Sequence, residues 1–121
     1  LRSLCQEEHC YIRSNGVPTF PWPAPADEES QRREIIDRLG PSVYVSVDLD
    51  VLDPSLMAAV GTPEPGGMGW EDVTGLLKAV AEQREIVGFD ITELSPGEGP
   101  EACAMTAAKL TYRLIGYATS S

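Results

Sequence analysis

Two aspartates, Asp48 and Asp50, close an apolar run, Val43-Tyr44-Val45-Ser46-Val47, and stand two residues apart. On a strand, carboxylates at that spacing share one face, with α-carbons roughly 6.5–7 Å apart. Their charges repel, and a buried strand tolerates them only beside a partner such as a cation. A divalent metal is the simplest partner. A third carboxylate, Glu93, follows a second apolar run, Ile86-Val87-Gly88-Phe89-Asp90-Ile91. Asp53, just ahead of Pro54, reads as a turn former. Asp90, inside the second run, reads as a buried, hydrogen-bonded structural residue.

Both carboxylate-bearing segments need strands to position them. The first run alternates and predicts a strand over 43–50. The second is almost continuously apolar, which suits a buried parallel strand over 86–91. A helix over 28–39 precedes the first strand, capped by Asp27 or Ser30 and stopped by Gly40-Pro41, with Ile35, Ile36 and Leu39 facing inward. A second helix starts near Trp70 or Glu71, with Val73, Leu76, Leu77 and Val80 on one face. The last helix, 102–117, carries two apolar faces: Cys103, Ala107, Leu110 and Leu114, and opposite them Met105, Ala108, Tyr112 and Ile115. Two such faces imply packing on both sides. Near the N-terminus, Gln6-Glu7-Glu8 suggests a helical turn, and Val17-Pro18-Thr19-Phe20 a short edge strand. Pro21, Pro23 and Pro25 around Trp22 then make an extended loop.

Helices alternating with strands give an α/β fold: a three-layer α/β/α arrangement around a mainly parallel sheet, one domain or fragment over 1–121. Such sheets bind ligands beyond the C-terminal ends of their strands, where Asp48, Asp50 and Glu93 all fall. The connection through Gly61-Thr62-Pro63-Glu64-Pro65-Gly66-Gly67 runs about fifteen residues, a length more typical of functional loops than of simple links.

Composition narrows the function classes. With 9 basic and 19 acidic residues in 121, the net charge is -10, the wrong sign for nucleic acid or an anionic membrane surface. It suits a cationic substrate or metal ions, although an acidic surface commonly serves only solubility. No apolar run reaches a membrane span and no signal peptide opens the chain. Three cysteines in no paired spacing predict no disulfide framework and point to a reducing cytoplasm. Cys5, His9 and Cys10 cluster, but their spacing matches no standard zinc pattern.

Three ordered motifs give the chain a resemblance. Ser46-Val47-Asp48-Leu49-Asp50-Val51-Leu52-Asp53-Pro54, Gly61-Thr62-Pro63-Glu64-Pro65-Gly66-Gly67 and Gly88-Phe89-Asp90-Ile91-Thr92-Glu93-Leu94-Ser95-Pro96 resemble successive signatures of the ureohydrolase family. That family includes arginase, agmatinase and related guanidino or formimidoyl hydrolases. Glu64-Pro65-Gly66-Gly67 resembles the agmatinase variant, and Arg2-Ser3-Leu4 with Glu7-Glu8 resembles a short upstream segment. The resemblance implies manganese-dependent hydrolysis of an agmatine-like guanidino compound, releasing urea. It implies that Asp48 bridges two Mn²⁺ ions, that Asp50 binds one of them, and that Glu93 pairs with the guanidinium nitrogens. It also implies a trimer or hexamer. The family's Gly-Gly-Asp-His and Asp-Ala-His-x-Asp stretches have no counterpart here, where His9 is the only histidine. The chain therefore resembles a C-terminal portion carrying half a metal site. Two smaller departures are Ala58-Ala59-Val60 in place of Pro-Gly-Thr, and Gly99 where an aspartate is usual.

Two other readings compete. An apolar strand ending in Asp-x-Asp also resembles haloacid-dehalogenase phosphatases, with Asp48 as nucleophile and Asp50 as acid/base. Alternatively, the chain is a catalytically incomplete α/β fragment, or a weak metal-binding remnant, without hydrolase activity.

Overall fold

The computed structural model describes residues 1–120. Its elements are α1 (Gln6–Asn15), α2 (Glu28–Asp37), β1 (Ser42–Asp48), a 3-10 turn (Leu49–Val51), α3 (Trp70–Ala81), β2 (Glu85–Thr92), a second 3-10 turn (Pro96–Glu98) and α4 (Ala102–Thr119). The two strands pair in parallel, Ser42 opposite Glu85 and Asp48 opposite Thr92. The α/β order and the parallel sheet are those expected.

Alternation along β1 sets the layers. Val43, Val45 and Val47 face inward, joined on β2 by Ile86, Phe89 and Ile91. Against this face pack Val73 and Leu77 of α3 and Cys103, Ala107, Leu110 and Leu114 of α4, while Ile36 of α2 meets Val43, Val80 and Ile86. Leu49, Leu110 and Leu114 are wholly buried. Burying a side chain of that size is worth about 1.5–3 kcal/mol. Helices α2, α3 and α4 thus lie on one side. Of the three layers expected, the described residues form two, and Tyr44, Ser46 and Asp48 stand on a bare sheet face. There the Asp90 carboxylate accepts hydrogen bonds from Tyr44 Oη (2.9 Å) and Ser46 Oγ (2.7 Å), tying the strands together. Gly88 permits this arrangement, because a Cβ there would sit 3.0 Å from the Tyr44 ring.

Four local expectations change. The N-terminal turn becomes a full helix, because Cys5 Sγ accepts from the Glu8 N–H while the Glu8 carboxylate accepts from the Cys5 N–H. Residues 17–20 form no strand; Phe20 and Trp22 instead bond Leu1, whose amino group donates to Phe20 O at 2.9 Å. The helix capped by Asp27 ends two residues early, and the Arg84 guanidinium donates to Ile36 O in its last turn and to Leu39 O just beyond it. The outer face of α4 is exposed rather than packed, with Met105 and Tyr112 each 70% accessible.

Candidate metal and substrate site

The first strand ends at Asp48, not at Asp50. The Asp48 carboxylate accepts from the Asp50 N–H at 3.0 Å, which curls residues 49–51 into a single 3-10 turn. Leu49 drops into the core between the two aspartates and anchors that turn. The pair therefore meets across a capped turn and not along one strand face, which corrects the strand-parity argument while keeping the carboxylates together.

Beyond the turn lies a cleft of about 500 Å³, walled by Asp48, Asp50, Thr62, Glu64, Arg2 and Ser3 among others. Thr62 Oγ1 donates to Asp50 Oδ2 at 2.9 Å. The Arg2 guanidinium donates to the carbonyls of Asp50 and Glu64, and Ser3 Oγ donates to the Glu64 carboxylate at 3.0 Å. Sequence reasoning gave no role to these four residues. They lie 12 to 62 residues from their partners, so no periodicity could have joined them.

Glu93 follows Thr92, which pairs with Asp48, so the register brings its segment to the same sheet end. It is exposed, does not line the cleft, and has a left-handed backbone with φ 70. For a side chain longer than Asn or Asp that conformation costs of order 1–2 kcal/mol, and such strain clusters at functional sites. Its neighbours are held firmly. Ser95 N–H donates to Ala59 O at 2.8 Å, and a Cβ on Gly99 would come within 2.7 Å of Ala59 N. The two departures from the ureohydrolase pattern, at 58–60 and at 99, thus meet in one backbone contact.

Electrostatics separates the acids. Desolvation pushes the Asp48 carboxyl above its ordinary value, and the Asp50 charge adds to this against the pull of the Asp50 N–H. A cation at the pair would relieve both effects. Asp53 behaves in the opposite way. Bonds from the Ser55 hydroxyl and N–H and from the Gly66 and Gly67 N–H groups pull it down to about 2. A depressed carboxylate stabilises the fold fully above its unfolded value near 3.8, and that contribution disappears as pH falls through about 2. The Gly66 and Gly67 amide resonances should therefore stay fixed down to about pH 4 and then shift together toward pH 2, as an NMR titration would record.

The donor set fits a divalent metal in part. Asp48 and Asp50 offer hard carboxylate oxygens of the kind Mn²⁺ takes. No group of three His, Cys, Asp or Glu converges among the described residues, whereas tight sites need several ligands. Cys5, His9 and Cys10 do not converge either, and Cys5 serves as a helix cap.

Residues 1–116 match the model of the arginase family. The chain belongs to that family. It is 44% identical to the N(1)-aminopropylagmatine ureohydrolase of Thermus thermophilus over 96% of its own length and 39% of the relative's. With the agmatinase of Pyrococcus horikoshii it shares 40% identity over 96% of this chain and 40% of that protein. Among solved structures, proclavaminate amidinohydrolase from Streptomyces clavuligerus superposes with a TM-score of 0.84 at 30% identity, over 98% of this chain and 40% of that one. The chain thus spans about two fifths of the length of the curated relatives it matches. Its fold is that of the arginase and agmatinase enzymes, and it belongs to an amidinohydrolase enzyme family. Arginase-family membership displaces the phosphatase reading. Among the described residues no helix is long and apolar enough to cross a membrane.

Proposed function

We propose that this chain supplies the C-terminal part of a manganese-dependent ureohydrolase that releases urea from a linear guanidino compound of the agmatine type. Asp48 and Asp50 furnish half of a two-metal site, and Glu93 furnishes the guanidinium-binding carboxylate. The observation that carries this reading is the capped Asp48–Asp50 turn beside the β2 end, in a chain of the arginase family. On this reading the complete enzyme is a cytoplasmic homo-oligomer, a trimer or hexamer, acting on a small cationic substrate. Neither nucleic acid nor membrane enters it. Three free cysteines, two of them exposed, accord with a reducing compartment.

Each residue has a definite task. When bound, the metal pair supplies a nucleophilic water near neutral pH. Asp48 and Asp50 hold their oxygens at the cleft wall, Asp50 oriented by the Thr62 hydroxyl. The Glu93 carboxylate accepts charge-assisted, potentially bidentate hydrogen bonds from the planar guanidinium and so orients its carbon. The acidic cleft draws in a cationic substrate and disfavours an anionic one.

The experiment compares two preparations. A full-length ureohydrolase polypeptide containing these residues should release urea from agmatine when Mn²⁺ is supplied, and the 121-residue chain alone should not. Robust manganese-dependent urea release by the isolated chain would overturn the half-site reading. In the active polypeptide, Glu93→Gln should raise KM by roughly 10- to 150-fold, the range of a lost charged hydrogen bond. Glu93→Gly should leave the thermal midpoint of the chain unchanged or raised. Relief of about 1–2 kcal/mol of left-handed strain exceeds or balances the roughly 0.5–1 kcal/mol that glycine flexibility costs. A clear drop in the midpoint would make Glu93 a structural residue.

A further inference from the structure

The loop from Pro54 to Gly67 leaves the site and returns to it, and both of its ends meet Asp53. At the near end Asp53 Oδ1 accepts from the Ser55 N–H (3.0 Å) and the Ser55 hydroxyl. At the far end Oδ2 accepts from the Gly66 N–H (2.9 Å) and the Gly67 N–H (3.2 Å). The backbone closes the same junction: Asp53 N–H donates to Met68 O at 2.9 Å, and Met68 N–H donates to Val51 O at 2.8 Å. Gly67 is required there, because a Cβ would lie 2.4 Å from Asp53 N. Gly66 turns with φ 81. A plain turn former ahead of a proline needs only its near-end bonds. Asp53 has a complete second set, reaching thirteen and fourteen residues along the chain.

The rim of the same loop carries Thr62 and Glu64, which line the cleft with Asp50. Thr62 donates to its carboxylate, and Glu64 shares the Arg2 guanidinium with its carbonyl. We propose that Asp53 is a positioning residue for the site: by closing the base of the 54–67 loop it holds Thr62 and Glu64 beside Asp50 before any ligand arrives. This rests on Asp50 being a metal ligand only for its functional consequence. The chemistry explains the choice of a carboxylate. Each limb of the loop presents N–H donors to a separate oxygen, and an isosteric amide has one oxygen. Either orientation of an asparagine would aim its NH₂ at donors of one limb.

The test uses isotopically labelled 121-residue chain as wild type, Asp53→Asn and Ile36→Val, the last a mild core lesion remote from the loop. Amide exchange, the through-space contact between Thr62 and Asp50, and Mn²⁺ affinity by electron paramagnetic resonance are read on each. In Asp53→Asn, exchange at Gly66, Gly67 and Met68 should quicken about tenfold or more as the local bonds open. The Thr62–Asp50 contact should fade, and Mn²⁺ affinity should fall about tenfold, the low end of what outer-sphere changes cost. Ile36→Val should leave all three unchanged. Faster exchange with an intact Thr62–Asp50 contact and unaltered Mn²⁺ affinity would overturn the proposal, as would an equal loss in Ile36→Val. If the wild-type chain, with half a metal site, takes up no measurable Mn²⁺, the Thr62–Asp50 contact alone decides the positioning role by its loss or persistence. Should Asp53→Asn not fold, Gly66→Ala strains the same junction at a position open to solvent, and the same readouts apply.

Discussion

In a full-length ureohydrolase polypeptide containing these residues, Asp48→Asn is expected to weaken Mn²⁺ binding more than about 100-fold, beyond the 10- to 100-fold that outer-sphere changes cost. Asparagine is the informative substitution because its side-chain oxygen can still accept from the Asp50 N–H, so the turn over Leu49–Val51 survives. What it removes is the charge. That charge is disfavoured in the metal-free chain by desolvation and by Asp50. A carboxyl whose folded pKa is raised makes the fold less stable as pH rises through its unfolded value. Near neutral pH the metal-free Asp48→Asn chain should therefore melt no lower than wild type, and slightly higher. Loss of metal together with gain in stability is the signature of a site residue. Asp50→Asn should lose metal likewise, with the Thr62 hydroxyl still satisfied by the amide oxygen. Metal titration by electron paramagnetic resonance, paired with thermal melts, checks both. Undiminished Mn²⁺ uptake in Asp48→Asn would end its assignment as a ligand.

Leu49→Ala tests the same turn from beneath. Leu49 is wholly buried, between two aspartates that face the cleft side, against the core built by α3 and α4. Removing a leucine side chain from such a position costs about 2–5 kcal/mol through lost transfer energy and the cavity left behind. Against a total of about 5–15 kcal/mol for a domain, that is a large fraction. Urea unfolding should register it as a lower midpoint. In conditions where the variant remains folded, Mn²⁺ affinity should also fall, because the turn that presents both carboxylates has lost its anchor. A loss below about 1 kcal/mol, well under the usual range, would show that the turn is held by Asp48 capping alone.

The contrast between these residues shows what the chain reveals before it folds. Val43, Val45 and Val47 point inward as their alternation requires, and α3 buries Val73, Leu77 and Val80 of the stripe its spacing marks, with Leu76 half-buried at its margin. Alternation stops being informative at Asp48, because a side-chain bond to the Asp50 N–H competes with the strand ladder and wins. Period-two reasoning therefore put Asp50 on a strand that had already ended. The α1 cap was hidden for a different reason: cysteine is an unusual capping residue, and its sulfur accepts the Glu8 N–H only once the helix exists. Arg2 and Thr62 fall within recognisable motifs, but their contacts with Asp50 join segments far apart in the chain. Local propensity carries no record of such contacts. Asp53 was legible as a turn residue, while its bonds to Gly66 and Gly67 were not, since they depend on where the loop returns.

The bare face beneath Tyr44 and the exposed outer stripe of α4 share a simple context. The chain spans about two fifths of its curated relatives' length, and on the proposed reading these open surfaces belong to one part of a larger enzyme. The site has the same character. On the proposed reading, a raised Asp48 and a Thr62-oriented Asp50 make one side of a metal centre.

The most direct measurement adds substoichiometric Mn²⁺ to ¹³C-labelled chain and follows the carboxyl resonances of all aspartates and glutamates. Paramagnetic broadening should strike the Asp48 and Asp50 carboxyl carbons first. The exposed acidic pairs at Glu7-Glu8 and Glu28-Glu29 should respond only at higher metal. Broadening that begins at those surface pairs and leaves Asp48 and Asp50 sharp would contradict the account.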